Sequence, residues 1–229
     1  MEFQHYGYIL LLCAVAATTL LIVMKSLGNF FTELKYMLPA IAFSGAIFVL
    51  LNIRFLETGI ISFNPKYITG KNLFNLPIEE WFFLIVISIM SFAIYYQVKI
   101  KFEHFEKPNL LVSVSLVLLV VFGLITWFSR PKPVTFFIFF LLTIYLAYTI
   151  FRNRFKQHLT KFYIALIISA VPFYLFKGIL YSLPVVLYNN EFNLGIQMYG
   201  VPVEEFGYFF LLMLINTTIF EYLRDRNLF

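Results

Sequence analysis

Leu76-Pro77-Ile78-Glu79-Glu80-Trp81-Phe82-Phe83 opens one long apolar run, and Val201-Pro202-Val203-Glu204-Glu205-Phe206-Gly207-Tyr208 opens another 125 residues later. Each sets two adjacent carboxylates where an apolar segment begins. Ionisable groups at the edge of hydrocarbon are costly and need a reason. Two such sites in matching positions imply one duplicated device, which either caps helices or moves protons.

The surroundings of these stretches are those of an integral membrane protein. Of 229 residues, 61% are hydrophobic and 13% charged, and the mean hydropathy is +0.85, far outside the soluble range. A membrane helix needs about 20 predominantly apolar residues, and seven runs qualify: Tyr6 to Met24, Leu34 to Ile53, Ile78 to Val98, Asn109 to Phe128, Val134 to Phe151, Phe162 to Phe176 and Val203 to Tyr222. Pro172 and Lys177 interrupt the sixth, which is expected to kink, with a further apolar stretch from Gly178 to Tyr188. The first run lacks basic residues before it and carries Ala14-Val15-Ala16 in its middle, so it reads as a retained helix and not as a signal peptide. Cys13 is the single cysteine, which excludes a disulfide framework and a cysteine-based metal site.

The net charge of +5 is scattered between the runs, as topology signals are, and implies no nucleic acid partner. With the N-terminus outside, six Lys and Arg fall on the outer side (Arg54, Lys66, Lys71, Arg130, Lys132, Lys177) and eleven, including Lys25 and Arg154, on the inner. The positive-inside rule therefore predicts an outer N-terminus, a cytoplasmic C-terminus and both Glu pairs near the outer face. Helices one to three end in a motif-bearing helix and so do helices five to seven, with the fourth as connector. Because the connector spans, the two repeats are parallel and both Glu pairs lie on one side. The expected architecture is thus all-α, about seven transmembrane helices, divided into 1–107, 108–129 and 130–229.

Pro followed two residues later by Glu is also an ordinary helix start, with the acid complementing the positive end of the helix dipole. A cap needs one acid, yet both copies have two, and the second points about 100° around the helix. The alternative is a proton donor and a proton acceptor working on an apolar substrate, since a carboxyl buried in apolar surroundings holds its proton at neutral pH while a better hydrogen-bonded one stays ionised. Catalytic candidates are Glu79, Glu80, Glu204 and Glu205. Flanking rings such as Trp81 can stabilise a carbocation. The segments 58–75 and 183–200 before each motif are long, aromatic and turn-rich, a pattern of ordered functional loops. His5, His104 and His158 lie at run ends or in loops, and no His-x-x-x-His, dinucleotide or phosphate-loop pattern is present, so no metal, cofactor or nucleotide is expected. Lys177 is expected to snorkel to the outer interface; pairing with a motif Glu, or carrying a Schiff base, are the other roles open to it.

Over essentially its whole length the chain resembles the membrane-integral lycopene cyclase domain family, in the fused form in which a connecting helix joins two three-helix halves. Gly59, Phe63-Asn64-Pro65, Gly70 and Asn75-Leu76-Pro77-Ile78-Glu79-Glu80 carry the first-half signature. Gly178-Ile179-Leu180, Pro184-Val185-Val186, Tyr188-Asn189, Asn193-Leu194-Gly195-Ile196 and Pro202-Val203-Glu204-Glu205 carry the second. The resemblance implies a cofactor-free β-cyclase of linear carotenoids such as lycopene and γ-carotene, in a bacterial inner membrane beside other carotenoid-pathway enzymes and lipid. An acid protonates the terminal double bond, the neighbouring double bond closes the ring, and a base removes a ring proton. It places the acid in one Glu pair and the base in the other, with Trp81, Phe63, Tyr188, Asn64 and Asn189 as substrate-binding candidates. The chain departs from the family pattern at Asn52 (for Asp), Ile61 (for Trp), Lys177 (for Asn), Tyr181 (for Thr), Gln197 (for Arg) and Glu205 (for Asp).

Two other functions fit parts of the pattern. Glu-Glu intramembrane proteases of prenylated proteins need an Arg four residues after the second Glu, where this chain has Leu84 and Phe209. A seven-helix carotenoid- or retinal-binding protein or transporter without cyclase activity draws its support from Lys177.

Overall fold

The computed structural model describes residues 5–24, 27–152 and 155–226; residues 1–4, Lys25 and Arg154 of the sequence reading lie outside these. Seven helices form where the seven apolar runs stand: α1 Gly7–Val23, α2 Leu27–Glu57, α3 Ile78–Lys101, α4 Pro108–Phe128, α5 Pro133–Phe151, α6 Leu159–Ser182 and α7 Val203–Asp225. α2 to α7 are long and apolar enough to cross a bilayer, and α1 has 17 residues, about 25 Å at 1.5 Å per residue. The protein is thus a membrane protein of all-α class. α4, with only Ser115, Phe122 and Thr126 buried, is apolar around most of its circumference, as a helix facing lipid must be.

The sixth helix differs from its sequence reading. It does not stop at Phe176 but runs through Pro172 to Ser182, and α2 likewise continues through Pro39. The extension places Lys177 inside a helix and not at its end.

The two repeats interlock. α1 packs on α3 as α5 packs on α7, while the middle helix of each repeat crosses over: α2 lies on α7 and α6 on α3. Between the middle and last helices of each repeat the turn-rich segment is ordered as short ribbons, β1 Ile61–Phe63, β2 Asn72–Leu73 and β3 Leu76–Pro77 in the first, and β4 Val186–Tyr188, β5 Gln197–Met198 and β6 Val201–Pro202 in the second. β2–β3 and β5–β6 are hairpins, whereas β1 pairs antiparallel with β4 across the repeats, Ser62 opposite Leu187. Asn64 N–H to Val185 O and Asn189 N–H to Ile60 O, both 2.9 Å, extend that pairing symmetrically. The hairpin tips need positive φ at both loop residues, and they adopt it at Phe74 (51°) with Asn75 (62°) and at Tyr199 (51°) with Gly200 (79°).

Several polar groups in the bundle are paired between helices. Ser44 donates to Asn216 at 2.6 Å, and Asn216 to Ser88 at 3.0 Å, tying α2, α7 and α3. At the end away from the Glu pairs, buried Glu221 accepts from Lys99 at 2.5 Å and Tyr95 at 2.7 Å. The imidazole of His158 stands between Glu221 and Asp225, at 3.7 and 3.5 Å.

Two stability outcomes follow from this packing. A Cβ on Gly207 meets Ile138 Cγ2 at 3.0 Å and the Phe139 ring at 3.2 Å, so Gly207→Val, by overpacking the α5–α7 contact, costs about 1–3 kcal/mol, read as a lower melting temperature in detergent. Lys99→Met removes the ammonium from buried Glu221 and costs about 3 kcal/mol. An unchanged melting temperature in either variant contradicts the packing described.

Candidate functional site

α3 and α7 begin side by side, and the two carboxylates of each pair part company within one turn. Glu79 and Glu204 turn back to the segment that precedes their helix. Oε1 of Glu79 accepts from the Thr69 amide at 2.7 Å and the Thr69 hydroxyl at 2.8 Å. Oε1 of Glu204 accepts from the Leu194 amide at 2.9 Å and from the Thr135 hydroxyl at 2.5 Å. Both stand in the first turn of their helices, where an acid complements the dipole, while Pro77 and Pro202 are the N-cap residues and make no side-chain cap. To the helix-start reading the structure adds a fastening of the preceding loop, ten residues upstream in both repeats.

Glu80 and Glu205 point the other way and line one pocket between the repeats, together with Asn52, Ile61, Phe63, Lys177, Val186, Tyr188 and Tyr208. The floor is the β1–β4 ribbon, whose alternation turns Ile61, Phe63, Val186 and Tyr188 inward while Ser62 and Leu187 are exposed. Glu80 accepts from Tyr8 on α1 at 2.5 Å and from Asn52 on α2 at 3.2 Å, and Asn52 also donates to Tyr208 at 3.3 Å. Glu205 accepts from Tyr181 at 2.7 Å and Tyr188 at 3.5 Å, and Lys177 Nζ stands 3.2 and 3.1 Å from its two oxygens. Burial, then the Glu205 charge, push the Tyr188 phenol well above its usual range, so it remains a donor at neutral pH.

Lys177 does not snorkel. It is 5% exposed, paired to Glu205, and its ammonium sits 4.4 Å from the centre of the Phe83 ring. Asn52 precedes Glu80 by the same spacing that separates Lys177 from Glu205. Equivalent places thus hold a neutral amide in one repeat and a cation in the other.

Of the proposed substrate contacts, Phe63 and Tyr188 are in the pocket. Trp81 is not; it leans on Phe74, ring centres 6.2 Å apart, at the hairpin. Asn64 and Asn189 use their side chains in turns, accepting from Lys66 N–H at 3.1 Å and Glu191 N–H at 3.0 Å. The sequence reading missed Tyr8 altogether; its signal was a phenol early in an apolar run, which needs a hydrogen-bond partner when buried. Asn52, Ile61, Lys177 and Glu205, four positions of departure from the family pattern, line the pocket, and Tyr181 touches it through Glu205.

The pocket's volume is about 20 Å³, room for about one water. Chemically, the constellation can hold one proton on a neutral-donor carboxyl and one negative charge on an ion-paired carboxylate within a single enclosure. At the opposite end, one ligand atom each from His158, Glu221 and Asp225 come within 4.8 Å of one another, but the other oxygen of Glu221 already serves Lys99 and Tyr95.

No curated protein and no solved structure matches the chain. A family model described as lycopene cyclase matches residues 5–98 and 131–223, one stretch in each repeat and most of the chain. With a doubled Glu-Glu device converging on one pocket in a seven-helix bundle, the chain belongs to the lycopene cyclase family.

Proposed function

We propose that the protein is a carotenoid cyclase that closes β-rings at the ends of linear carotenes such as lycopene and γ-carotene by acid/base chemistry, without redox change or cofactor. The observation that supports this best is the convergence of Glu80 and Glu205, from equivalent positions of two repeats, on one enclosed pocket with unlike partners. Two carboxyls and one ammonium balance electrically when one carboxyl is protonated. Lys177 beside Glu205 marks that residue as the carboxylate, and leaves Glu80, with the uncharged Tyr8 and Asn52, as the proton holder.

Glu80 is the acid: it donates its proton to the terminal double bond, leaving a tertiary cation. The neighbouring double bond attacks that cation, forming the ring carbon–carbon bond and a new cation on the ring. Glu205 is the base and takes a ring proton, which regenerates a double bond, so the product is an isomer of the substrate. The proton then returns from Glu205 to Glu80 across the pocket for the next turnover. Tyr208, one turn after Glu205 and a wall of the pocket, offers its ring to the transient cation.

A Schiff base at Lys177 is disfavoured, because attack on a carbonyl needs the free amine and this one is ion-paired. We place the repeats at 1–107 and 130–229 with 108–129 as connector, and the pocket toward the outer face with the N-terminus outside. Taking buried Lys177 out of the outer count leaves five basic residues there against eleven inside, which strengthens the bias.

The test is expression in a lycopene-accumulating bacterium followed by chromatography of the pigments. The wild type converts lycopene into ring-bearing products; lycopene that persists despite membrane expression overturns the reading. Glu80→Gln and Glu205→Gln each lower turnover by about 10²–10⁴-fold; Glu80→Gln does so with little change in melting temperature, whereas Glu205→Gln also strands the buried Lys177 ammonium and lowers it. Glu79→Gln and Glu204→Gln lower the melting temperature and leave ring formation running. The reverse pattern would move the chemistry to the other member of each pair.

A further inference from the structure

The pocket is closed to anything as large as a carotenoid end, so a substrate must reach it from somewhere, and one side of α6 carries a continuous path. The lipid-facing side of this helix carries exposed Val171 and Leu175. With Phe206 at the start of α7 and Tyr199 at the tip of the β5–β6 hairpin, these residues line an apolar groove of about 810 Å³. At Gly178, Ser182 and Tyr199 the groove runs into a hollow of about 330 Å³ walled by Tyr181, Val186 and Tyr188. Val186 and Tyr188 are in turn walls of the Glu80–Glu205 pocket. Groove, hollow and pocket therefore share walls in sequence.

We propose that the groove is the binding track for the linear polyene of a carotenoid, and that Tyr181 and Tyr188 form the door through which its end reaches Glu205 and Glu80. This rests on the cyclase reading. The chemistry of the path selects an occupant that is long, thin and apolar to its tip. From Ala170 to Ser182 the groove follows α6 for about 18 Å, open to the bilayer in which such a molecule dissolves. Its deep end is bounded by phenol edges and then by carboxylates, where a phospholipid has only acyl chain to offer. The door rings lie 6.0 Å apart, tilted by 41°, and their hydroxyls rest on the same oxygen of Glu205. An arriving end that parts them also strips two donors from that carboxylate, leaving Lys177 as its partner and sharpening it as a base when substrate is present.

Gly178 sits where groove and hollow meet, and a Cβ there meets only Val201 Cγ2, at 3.9 Å. Gly178→Phe therefore fills the junction without disturbing either acid, and exposed Ser182→Phe blocks the same junction independently. Val117→Phe, on the lipid side of α4, is the control. Turnover of lycopene in proteoliposomes is expected to fall at least tenfold at sub-saturating substrate in both junction variants and to stay unchanged in the control. In a Glu80→Gln background, carotenoid co-purified per protein from lycopene-accumulating cells falls by a similar factor when either junction substitution is added. If folded Gly178→Phe and Ser182→Phe turn over and bind like their parents, or if the molecule retained by Glu80→Gln is a phospholipid displaced by these substitutions, the proposal is overturned. Failure of the wild type to form rings would sink the cyclase reading alone, because the co-purification comparison still decides the groove.

Discussion

Two carboxyls and one ammonium share a nearly dry enclosure, and the electrical balance of that trio constrains everything around it. A carboxylate taken out of water needs both a countercharge and donors for its lone pairs. Glu205 receives a countercharge from Lys177 and phenols from Tyr181 and Tyr188. Glu80 receives a phenol and an amide but no cation of its own. The N-termini of α3 and α7, whose dipoles favour negative charge, converge on the same place, and the crossing of α2 and α6 brings their partners there. The helix arrangement is what lets so much polarity stay buried.

The duplication makes the asymmetry informative. Gly70 and Gly195 share one positive φ, 75° and 72°, the hairpin tips share another, and Glu79 and Glu204 fasten their loops through the same spacing. Against this near-identity, Asn52 and Lys177 occupy equivalent positions with different charge. A repeated frame that differs at this charged position gives two chemically identical acids different electrostatic surroundings, the means by which environment separates an acid from a base elsewhere.

Much of this was legible in the sequence, because length and hydropathy fix membrane helices and because a doubled motif advertises itself. The spanning fourth helix placed both Glu pairs on one side, and the family match over both repeats agrees with that frame. What was not legible depended on three-dimensional proximity. Tyr8 meets Glu80 across 72 residues, which no local pattern announces. Lys177 looked interfacial because the sixth apolar run stops at Phe176; five further residues of α6 beyond Lys177 place it inside the helix. The ribbons escaped notice because their tips set Phe74 and Tyr199 in a left-handed conformation that Asn or Gly ordinarily fills. The side chains of Asn64 and Asn189 hold turns, accepting from backbone two residues on, a local role that the paired motif alone does not separate from ligand contact.

The crossing of α2 onto α7 and of α6 onto α3 means that the two acids, each hydrogen-bonded within its own repeat, share a pocket that both repeats wall. Each half supplies walls for the other's carboxylate, and the β1–β4 ribbon splices the two floors into one. α4, little buried and touching mainly α5, adds no wall to that pocket. Its contribution is connectivity: a covalent tether that turns the meeting of two halves into an intramolecular event at high effective concentration. The stoichiometry of the halves is thereby set by translation and not by mass action, and the pairing of unlike repeats, on which the proposed acid–base division depends, is built into every chain.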